Sequence, residues 1–316
     1  MSKKTALLYN ANYKLHNMGN HPESPERISR ILKLIKEKKI DKNLKIISVN
    51  GSAQGEIHLV HRDYYVNYIQ YMCNGGYAHI DTDTWVCKKT LSVAKSAVKT
   101  VIEGLDLIIS KKVKNAFCLV RPPGHHSSPS RAMGFCFFNN VAIAARYLQK
   151  KHKVKKILIV DWDAHHGNGT QEIFYRDNSV MYFSIHQKDM FPLTGYEDEI
   201  GEGKGKGYTV NVPVMGNISA KEYVNLFEKK LNFIKGKFKP EFILVSAGFD
   251  GHKDDAYSNL SLSEKDYAKM TKLILNLADE TCDGKLLSVL EGGYHLNSLQ
   301  TSVLLHLKQL INFSAD

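Results

Sequence analysis

Short apolar runs rich in valine and isoleucine recur along the chain and alternate with longer segments of helical periodicity. Strands that alternate with helices predict a parallel sheet with helices on both faces. We find no internal repeat and no linker that would divide residues 1–316, so the sequence predicts a single α/β domain. The apolar runs are 5–9, 44–49, 116–120, 156–160, 180–185, 208–212, 242–245 and 286–290, and the helical segments include 25–38, 91–110, 140–151, 220–236 and 263–279.

Chemically reactive side chains directly follow four of the apolar runs. In open parallel sheets, ligands bind outside the carboxyl ends of the strands, so these side chains are expected to converge on one site. The four segments are FCLVRPPGHH, which ends in His125 and His126, ILIVDWDAHH, ILVSAGFDGH, which contains Asp250, and LLSVLEGGY, which ends in Tyr294.

The segment DWDAHH places acids and histidines just after a predicted strand. Asp163 and His165 are two residues apart, and alternate residues of an extended chain face the same side. With Asp250 from a neighbouring strand end, they would supply the one nitrogen and two oxygen donors of a catalytic zinc site that keeps a position open for water. The simpler alternative is that the two acids cap helices and His165 packs. Asp161 can orient a nearby histidine or hold a monovalent cation.

The histidine pair follows the stiff segment RPPG, which forces an irregular turn. Such a turn presents His125 and His126 rather than burying them in a regular element. Adjacent histidines near a metal suggest a general base and a general acid or electrostatic partner. The alternatives are a second metal site or an exposed pair without function.

Glycines and aromatic residues near these segments can shape a substrate channel. Gly293 precedes Tyr294, whose hydroxyl can stabilise an oxyanion beside a metal. Gly134 and Phe135 come shortly after the histidine pair, and Phe191 precedes a proline, so the two rings can form the walls of a narrow apolar slot. Taken alone, each aromatic residue is equally well explained as ordinary core.

The formal net charge of +11 raises the question of nucleic-acid binding. The lysines are spread over many segments, so a solvated surface is the favoured interpretation and nucleic acid is not an expected partner.

Five scattered cysteines without a CxxC pair argue against a disulfide framework and a zinc knuckle. No run reaches the roughly 18 apolar residues of a membrane span. The start is too short for a secretory signal, so the sequence predicts a cytoplasmic protein.

Taken in order, the motifs resemble those of the zinc-dependent histone deacetylases and acetylpolyamine amidohydrolases. They are HPESPER (21–27), RPPGHH (121–126), GFCFFNNVA (134–142), DWDAHHGNGTQ (161–171), SAGFDGH (246–252) and LEGGY (290–294). The resemblance therefore covers nearly the whole chain. It implies the arginase–deacetylase fold, a central, mostly parallel eight-stranded sheet flanked by helices. It also implies one catalytic Zn²⁺ and one or two structural K⁺ or Na⁺ ions.

The resemblance implies a role for each site residue. Zinc would be held by Asp163, His165 and Asp250. The catalytic set would be His125, His126, Tyr294, Asp161 and Asn168, in which the last two orient the histidines. The substrate would contact Gly134, Phe135, Phe191, Gly293 and Tyr257, with Asp81 or Asp83 at the rim.

The resemblance also implies two sites for monovalent cations and a channel residue. The first cation would be held by Asp161, Ser184 and Ile185, together with backbone carbonyls of Asp163 and His165. A second, weaker site would involve Phe174, Asp177, Val180 and Tyr208. Arg27 matches an arginine near the family's acetate-release channel.

Three positions place the chain within the family. Asn168 stands where class I members carry an acid, which is the class II pattern shared with bacterial and archaeal relatives. A neutral amide orients His126 without raising its pKa as a carboxylate would, so His126 is the better candidate for a neutral base. Tyr294 is present where weakly active class IIa enzymes have histidine, which implies an active deacetylase. His252, where arginases have a second aspartate, favours one metal and amide hydrolysis.

The sequence constrains the identity of the substrate less tightly than it constrains the type of reaction. Tyr257 lies seven residues after Asp250, where polyamine-selective members have an acid, and a phenol attracts a distant ammonium less than a carboxylate does. This favours acetyl-lysine in proteins or peptides over acetylated polyamines or other small amides. The third interpretation, an inactive module that binds acyl-lysine or nucleic acid, conflicts with the intact set of reactive residues. The acyl-chain preference and the oligomeric state do not follow from the sequence.

Overall fold

The computed structural model describes residues 5–76 and 78–313. Its strands are β1 (Thr5–Tyr9), β2 (Lys45–Ser48), β3 (Ala78–His79), β4 (Trp85–Val86), β5 (Asn115–Cys118), β6 (Ile157–Asp161), β7 (Val180–Gln187), β8 (Thr209–Val214), β9 (Phe242–Ala247) and β10 (Leu286–Leu290). Its α-helices are α1 (Glu26–Glu37), α2 (Asp63–Asn74), α3 (Thr90–Ile109), α4 (Asn140–His152), α5 (Asn168–Phe174), α6 (Ala220–Lys237), α7 (Glu264–Cys282) and α8 (Leu296–Phe313). Short 3₁₀ turns span Ala11–Leu15, Ile40–Asn43, Glu56–Leu59 and Gly203–Gly205.

Eight of the strands form one sheet in the order β2-β1-β5-β10-β9-β6-β7-β8, and neighbouring strands in it run parallel. β6, β9 and β10 are buried along their whole length, which is why they read as uninterrupted apolar runs in the sequence. The predicted eight-stranded sheet is confirmed. A separate antiparallel ribbon of β3 and β4 was not predicted, because its two-residue strands leave no periodic pattern.

Helices cover both faces of this sheet, as predicted. Leu287 and Ser288 are consecutive residues of β10 and point to opposite faces. The side chain of Leu287 packs near Gly104 of α3, whereas the hydroxyl of Ser288 lies 3.0 Å from Nε2 of His306 in α8. α4 packs beside α3 on the first face, and α1, α7 and α6 continue from α8 on the second.

The five predicted helical segments are all helical, with ends that differ by at most three residues. α7 begins with a capping box, in which the carboxylate of Asp266 accepts hydrogen bonds from the Ser263 N–H at 3.0 Å and hydroxyl at 2.6 Å. Three further helices, α2, α5 and α8, were not among the predicted segments. Among the described residues, no helix combines the length and hydropathy needed to cross a membrane.

The four reactive segments follow four adjacent strands in the centre of the sheet. β5, β10, β9 and β6 are consecutive neighbours and run parallel, so the residues after them emerge along one edge. The fold therefore brings together side chains that are up to 169 residues apart in sequence, from His125 to Tyr294.

Candidate active site

Three metal-ligand donors meet at the carboxyl edge of the sheet. The Nδ1 atom of His165 lies 2.8 Å from Oδ2 of Asp250 and 3.1 Å from Oδ1 of Asp163. One ligand atom from each of the three residues lies within 4.8 Å of the other two. One imidazole nitrogen and two carboxylate oxygens form a donor set that zinc accepts, with room for further coordination.

Backbone groups hold both carboxylates in this arrangement. The N–H of Gly292 donates to Oδ2 of Asp163 at 2.8 Å, and the N–H of Ala164 donates to Oδ1 of Asp250 at 2.9 Å. A Cβ atom at Gly248 or Gly292 would overlap the carboxylate of Asp163. Both glycines are therefore required for the chain to approach the acids so closely.

The two histidines lie side by side but have different partners. The ring centroids of His125 and His126 are 4.0 Å apart. Nδ1 of His125 lies 3.1 Å from Oδ2 of Asp161, and Nδ1 of His126 lies 2.8 Å from Oδ1 of Asn168. Because each partner accepts, Nδ1 carries the hydrogen and Nε2 is directed elsewhere. Nε2 of His125 lies 3.8 Å from Oδ1 of Asp163, which places it beside the donor set.

The surroundings of the two histidines give them opposite pKa shifts. Burial lowers the pKa of His126 well below its usual value, and the neighbouring His125 and His165 lower it further. Burial also opposes a charge on His125, but the carboxylates of Asp163 and Asp161 outweigh it and raise the pKa of His125 to about 10. The pair therefore combines a neutral imidazole with a cationic one.

The site holds an excess of buried negative charge. Asp161, Asp163, Asp250 and Glu291 are all at most 1% exposed. Burial and the charge of Asp163 raise the pKa of Asp250, and burial raises the pKa of Glu291 to about 7. Buried carboxylates are stabilised when they are paired or coordinate a metal. The residues present therefore fit a divalent cation at the point where the three donors converge.

The residues expected around the first monovalent cation lie together at the ends of β6 and β7. Asp161 is opposite Ser184 in the parallel register, and its Oδ2 accepts a hydrogen bond from the Tyr182 hydroxyl at 3.1 Å. The hydroxyl of Ser184 lies 2.8 Å from Nδ1 of His186. The carbonyl of Ile185 accepts a hydrogen bond from Tyr223 at 3.0 Å.

Of the residues expected around the second cation, Phe174 and Asp177 contact each other through the backbone, and Tyr208 pairs with β7. The carbonyl of Phe174 accepts the N–H of Asp177 at 3.0 Å, and the carbonyl of Tyr208 accepts the N–H of Tyr182 at 2.9 Å. Val180 begins β7. The carboxylate of Asp177 is bound by Arg146 at 2.6 Å, so its backbone rather than its side chain is available to an ion.

Both phenylalanines expected to wall the channel lie near Gly134, since Phe135 follows it in the chain and the ring of Phe191 approaches it. The ring of Phe191 is 5.1 Å from that of His126, and the ring of Phe135 is 5.5 Å from that of Tyr294. Gly134 has a φ of +55°, and a Cβ there would overlap the ring of His126 and approach Phe191. Glycine is thus required where this loop contacts the ring of His126.

Tyr294 lies at the end of the loop that follows β10. Its N–H donates to Oδ2 of Asp255 at 2.7 Å, its ring lies 4.6 Å from that of Tyr257, and the guanidinium of Arg27 lies 5.0 Å from its centroid. Burial raises the pKa of the Tyr294 phenol well above its usual value, against the opposing charge of Arg27. The phenol is therefore protonated and able to donate. Gly293, directly before it, has a φ of +115°.

The β3–β4 ribbon carries both candidate rim acids, and they differ in their surroundings. The carbonyl of Asp83 lies 3.0 Å from Nε2 of His21, and the ring of His21 packs 4.7 Å from that of Phe135. Asp81 lies 3.4 Å from the guanidinium of Arg131. Asp83 is thus the acid connected to Phe135, through His21.

A buried ion network beneath the site was not predicted. Arg121 and Arg27 bind the carboxylate of Glu23 at 2.9 and 3.1 Å, and none of the three side chains is exposed to solvent. Burial alone would raise the pKa of Glu23, but Arg121 and Arg27 lower it to about 2. Both arginines and the glutamate lie within motifs that the sequence singles out, yet their spacing gives no sign that they pair.

Comparisons with known proteins agree with this geometry. A family model described as histone deacetylase domain matches residues 21–310. A probable deacetylase of Archaeoglobus fulgidus is 36% identical over 293 residues, which cover 92% of this chain and 81% of that protein. Histone deacetylase 6 of Caenorhabditis elegans is 40% identical over 303 residues, which cover 90% of this chain but 31% of that protein.

The fold has a solved counterpart. The crystal structure of the HDA15 HD domain superposes with a TM-score of 0.92 at 34% identity and covers 99% of this chain and 89% of that chain. The central sheet and its helical layers are thus those of an arginase–deacetylase fold.

Proposed function

The chain belongs to the histone deacetylase family, and we propose on that premise that it is a zinc-dependent amidohydrolase that removes acetyl groups from lysine side chains of proteins or peptides. The observation that carries the proposal is the convergence of the three donors, the histidine pair and Tyr294 at one edge of the sheet. The donor set with one nitrogen and two oxygens supports zinc, held by Asp163, His165 and Asp250. Zinc bound there would supply Lewis acidity at the reaction centre.

His126 is the proposed general base. Its Nδ1–H donates to Asn168, so the lone pair on Nε2 is free to take a proton from the attacking water. A neutral base is required for this step, and burial together with the neighbouring imidazoles keeps His126 neutral. The water oxygen bonds to the acetyl carbon, and the proton then passes to the amide nitrogen as the C–N bond breaks, which releases acetate and the free side-chain amine of the lysine.

His125 and Tyr294 are the proposed electrostatic partners. The carboxylate of Asp161 stabilises a positive charge on His125, which opposes the negative charge that develops on the substrate. The Tyr294 phenol stays protonated and donates to the carbonyl oxygen as it becomes an oxyanion. Phe135 and Phe191 would enclose the methylene chain of the lysine, while the carbonyl of Gly134 would accept the amide N–H. We assign the first monovalent cation to Asp161, Ser184 and Ile185.

The mouth of the channel supports an acyl-lysine substrate over a polyamine. Tyr257 stands beside Tyr294 and offers no negative charge to a distant ammonium. Asp83 can instead accept hydrogen bonds from the backbone of a peptide at the rim. We therefore propose Asp83, rather than Asp81, as the rim contact.

The exposed lysines at the far end of the central strands do not oppose a basic peptide at this mouth. Exposed lysines crowd the loops that enter β5 and β6, namely Lys111, Lys112, Lys153, Lys155 and Lys156. These loops lie at the opposite edge of the sheet from the site. A five-residue strand such as β6 spans roughly 16 Å, which is about two Debye lengths at physiological salt. Screening therefore isolates the mouth from this charge.

The proposal predicts turnover of an acetyl-lysine peptide that a hydroxamate chelator abolishes. The experiment compares this peptide with an acetylated polyamine at matched concentrations and follows acetate release. A higher kcat/KM for the peptide supports the lysine assignment, because Tyr257 lacks the charge that a polyamine needs. Preference for the polyamine would move the function to small-molecule metabolism, and no turnover of either by zinc-loaded protein would contradict the proposal.

The zinc assignment predicts that Asp250→Ala loses the metal. The substitution leaves two of three protein donors, so bound zinc is expected to fall from about one per chain to well below one after dialysis. Elemental analysis of the purified variant measures this directly. Asp254→Ala is the matched control, because this nearby carboxylate is half exposed. Stoichiometric zinc in the Asp250 variant would refute the ligand set.

A further inference from the structure

Glu291 is a fully buried carboxylate to which the proposed mechanism gives no task. It directly follows β10, three residues before Tyr294, and is 0% exposed. Its Oε2 accepts hydrogen bonds from the backbone N–H of Gly124 at 2.6 Å and of His125 at 3.2 Å. Its Oε1 accepts a hydrogen bond from the hydroxyl of Ser246 at 3.2 Å. One side chain thus joins the segment that follows β5 and the last residues of β9 to the end of β10.

The backbone of the same residue is held from the other side. Arg27 donates to the carbonyls of Glu291 and Gly293, the latter at 2.7 Å. Arg27 is itself fixed by Glu23. The carboxylate therefore projects from an anchored point of the loop that carries Tyr294, rather than from a mobile one.

The segment that Glu291 binds has little freedom to move toward another acceptor. A Cβ on Gly124 would overlap the backbone N of Asn140 and the carbonyl of Phe138, so this part of the chain is packed tightly against α4. The N–H groups of Gly124 and His125 face Glu291, and these two residues directly precede His126 in the sequence. Their direction sets where the two imidazoles lie relative to the donors.

We propose that Glu291 is a positioning residue that fixes the His125–His126 segment relative to the Tyr294 loop by accepting the two backbone N–H bonds. The inference rests on the proposed function, in which these histidines and Tyr294 act on one carbonyl. A displacement of about 1 Å in such groups can lower a rate about 100-fold. The acceptor oxygen, and not the negative charge, is what the role requires.

Two substitutions separate the acceptor from the charge. Glu291→Ala removes both, whereas Glu291→Gln keeps an oxygen for the N–H groups and an amide that can donate to Ser246. We expect Glu291→Ala to lower kcat on the order of 100-fold with KM nearly unchanged, and Glu291→Gln to recover most of that loss. Ser288→Ala is the control expected to keep wild-type kcat. Ser288 lies on β10, the strand that Glu291 follows, and the substitution removes its buried hydrogen bond to His306 of α8.

Hydrogen–deuterium exchange tests the same contact without relying on catalysis. The amides of residues 124 and 125 should exchange faster in Glu291→Ala than in wild type or Glu291→Gln, with zinc content and melting temperature recorded for each. If Glu291→Gln is as impaired as Glu291→Ala, or if exchange at these amides is unchanged in both, the positioning role is overturned. A wild-type protein that turns over no acetyl substrate would contradict the proposed function, while the exchange result still decides the inference.

Discussion

Tyr294→Phe is expected to lower kcat by about 100- to 1,000-fold, the usual effect of losing one oxyanion donor. The substitution removes a single oxygen and leaves the ring that packs against Phe135 and Tyr257. The phenol is protonated over the whole physiological range because burial raises its pKa, so the variant loses a donor and not a charge. Steady-state kinetics on an acetyl-lysine peptide, at saturating and limiting substrate, measures the loss in kcat.

The interpretation requires that the variant still binds zinc and folds. Tyr294 contributes no donor to the set of Asp163, His165 and Asp250, so zinc content is expected to remain at the wild-type value. Tyr267→Phe is a suitable control, since this tyrosine is buried against Phe249 outside the converging side chains. Near-normal turnover by Tyr294→Phe would exclude the tyrosine as the oxyanion donor.

The main elements of the fold follow from the sequence because their patterns are local. Strands buried on both faces read as continuous apolar runs, and amphipathic helices repeat with a period near 3.6 residues. α8 shows the same period, since Leu299, Val303, Leu307 and Leu310 recur every three or four residues and are all buried. α5 is seven residues long and contains Gly169, so its helical state depends on tertiary packing rather than on propensity.

The converging site was predictable for a different reason. Parallel strands place their carboxyl ends along one edge, so reactive residues after four runs had to meet if those runs were neighbours. The structure brings the predicted donors, histidines and Tyr294 together in this way. The roles assigned to them stay predictions.

The buried supporting charges were not predictable, because no local spacing marks them. Glu23 meets Arg121 across 98 residues, and Glu291 meets the Gly124 N–H across 167. A glutamate after a strand is most simply interpreted as a surface residue, since this residue type is seldom buried. Only the fold shows that Glu23 and Glu291 are enclosed and which donors surround them.

The final prediction concerns the division of labour between the histidines. His126→Ala is expected to lower kcat/KM by about 100- to 10,000-fold, the range of general acid–base catalysis, and His125→Ala is expected to lower it less. The reason is the difference in their Nδ1 partners, Asn168 for His126 and Asp161 for His125. Burial and the neighbouring imidazoles keep His126 neutral and able to accept a proton, whereas the carboxylates of Asp163 and Asp161 favour a cationic His125 that contributes electrostatically.

The comparison is made on both alanine variants with the same peptide, after zinc content is shown to equal that of the wild type. Neither histidine belongs to the donor set, so both variants should retain the metal and differ only in proton transfer and charge. Loss of His125 leaves the base in place, and the reaction can still begin. In the His126 variant the remaining imidazole of the pair is that of His125. Its Nε2 already carries a proton, so it cannot accept one from water. Equal losses in the two variants, or a larger loss for His125→Ala, would show that the amide and carboxylate partners do not separate the roles.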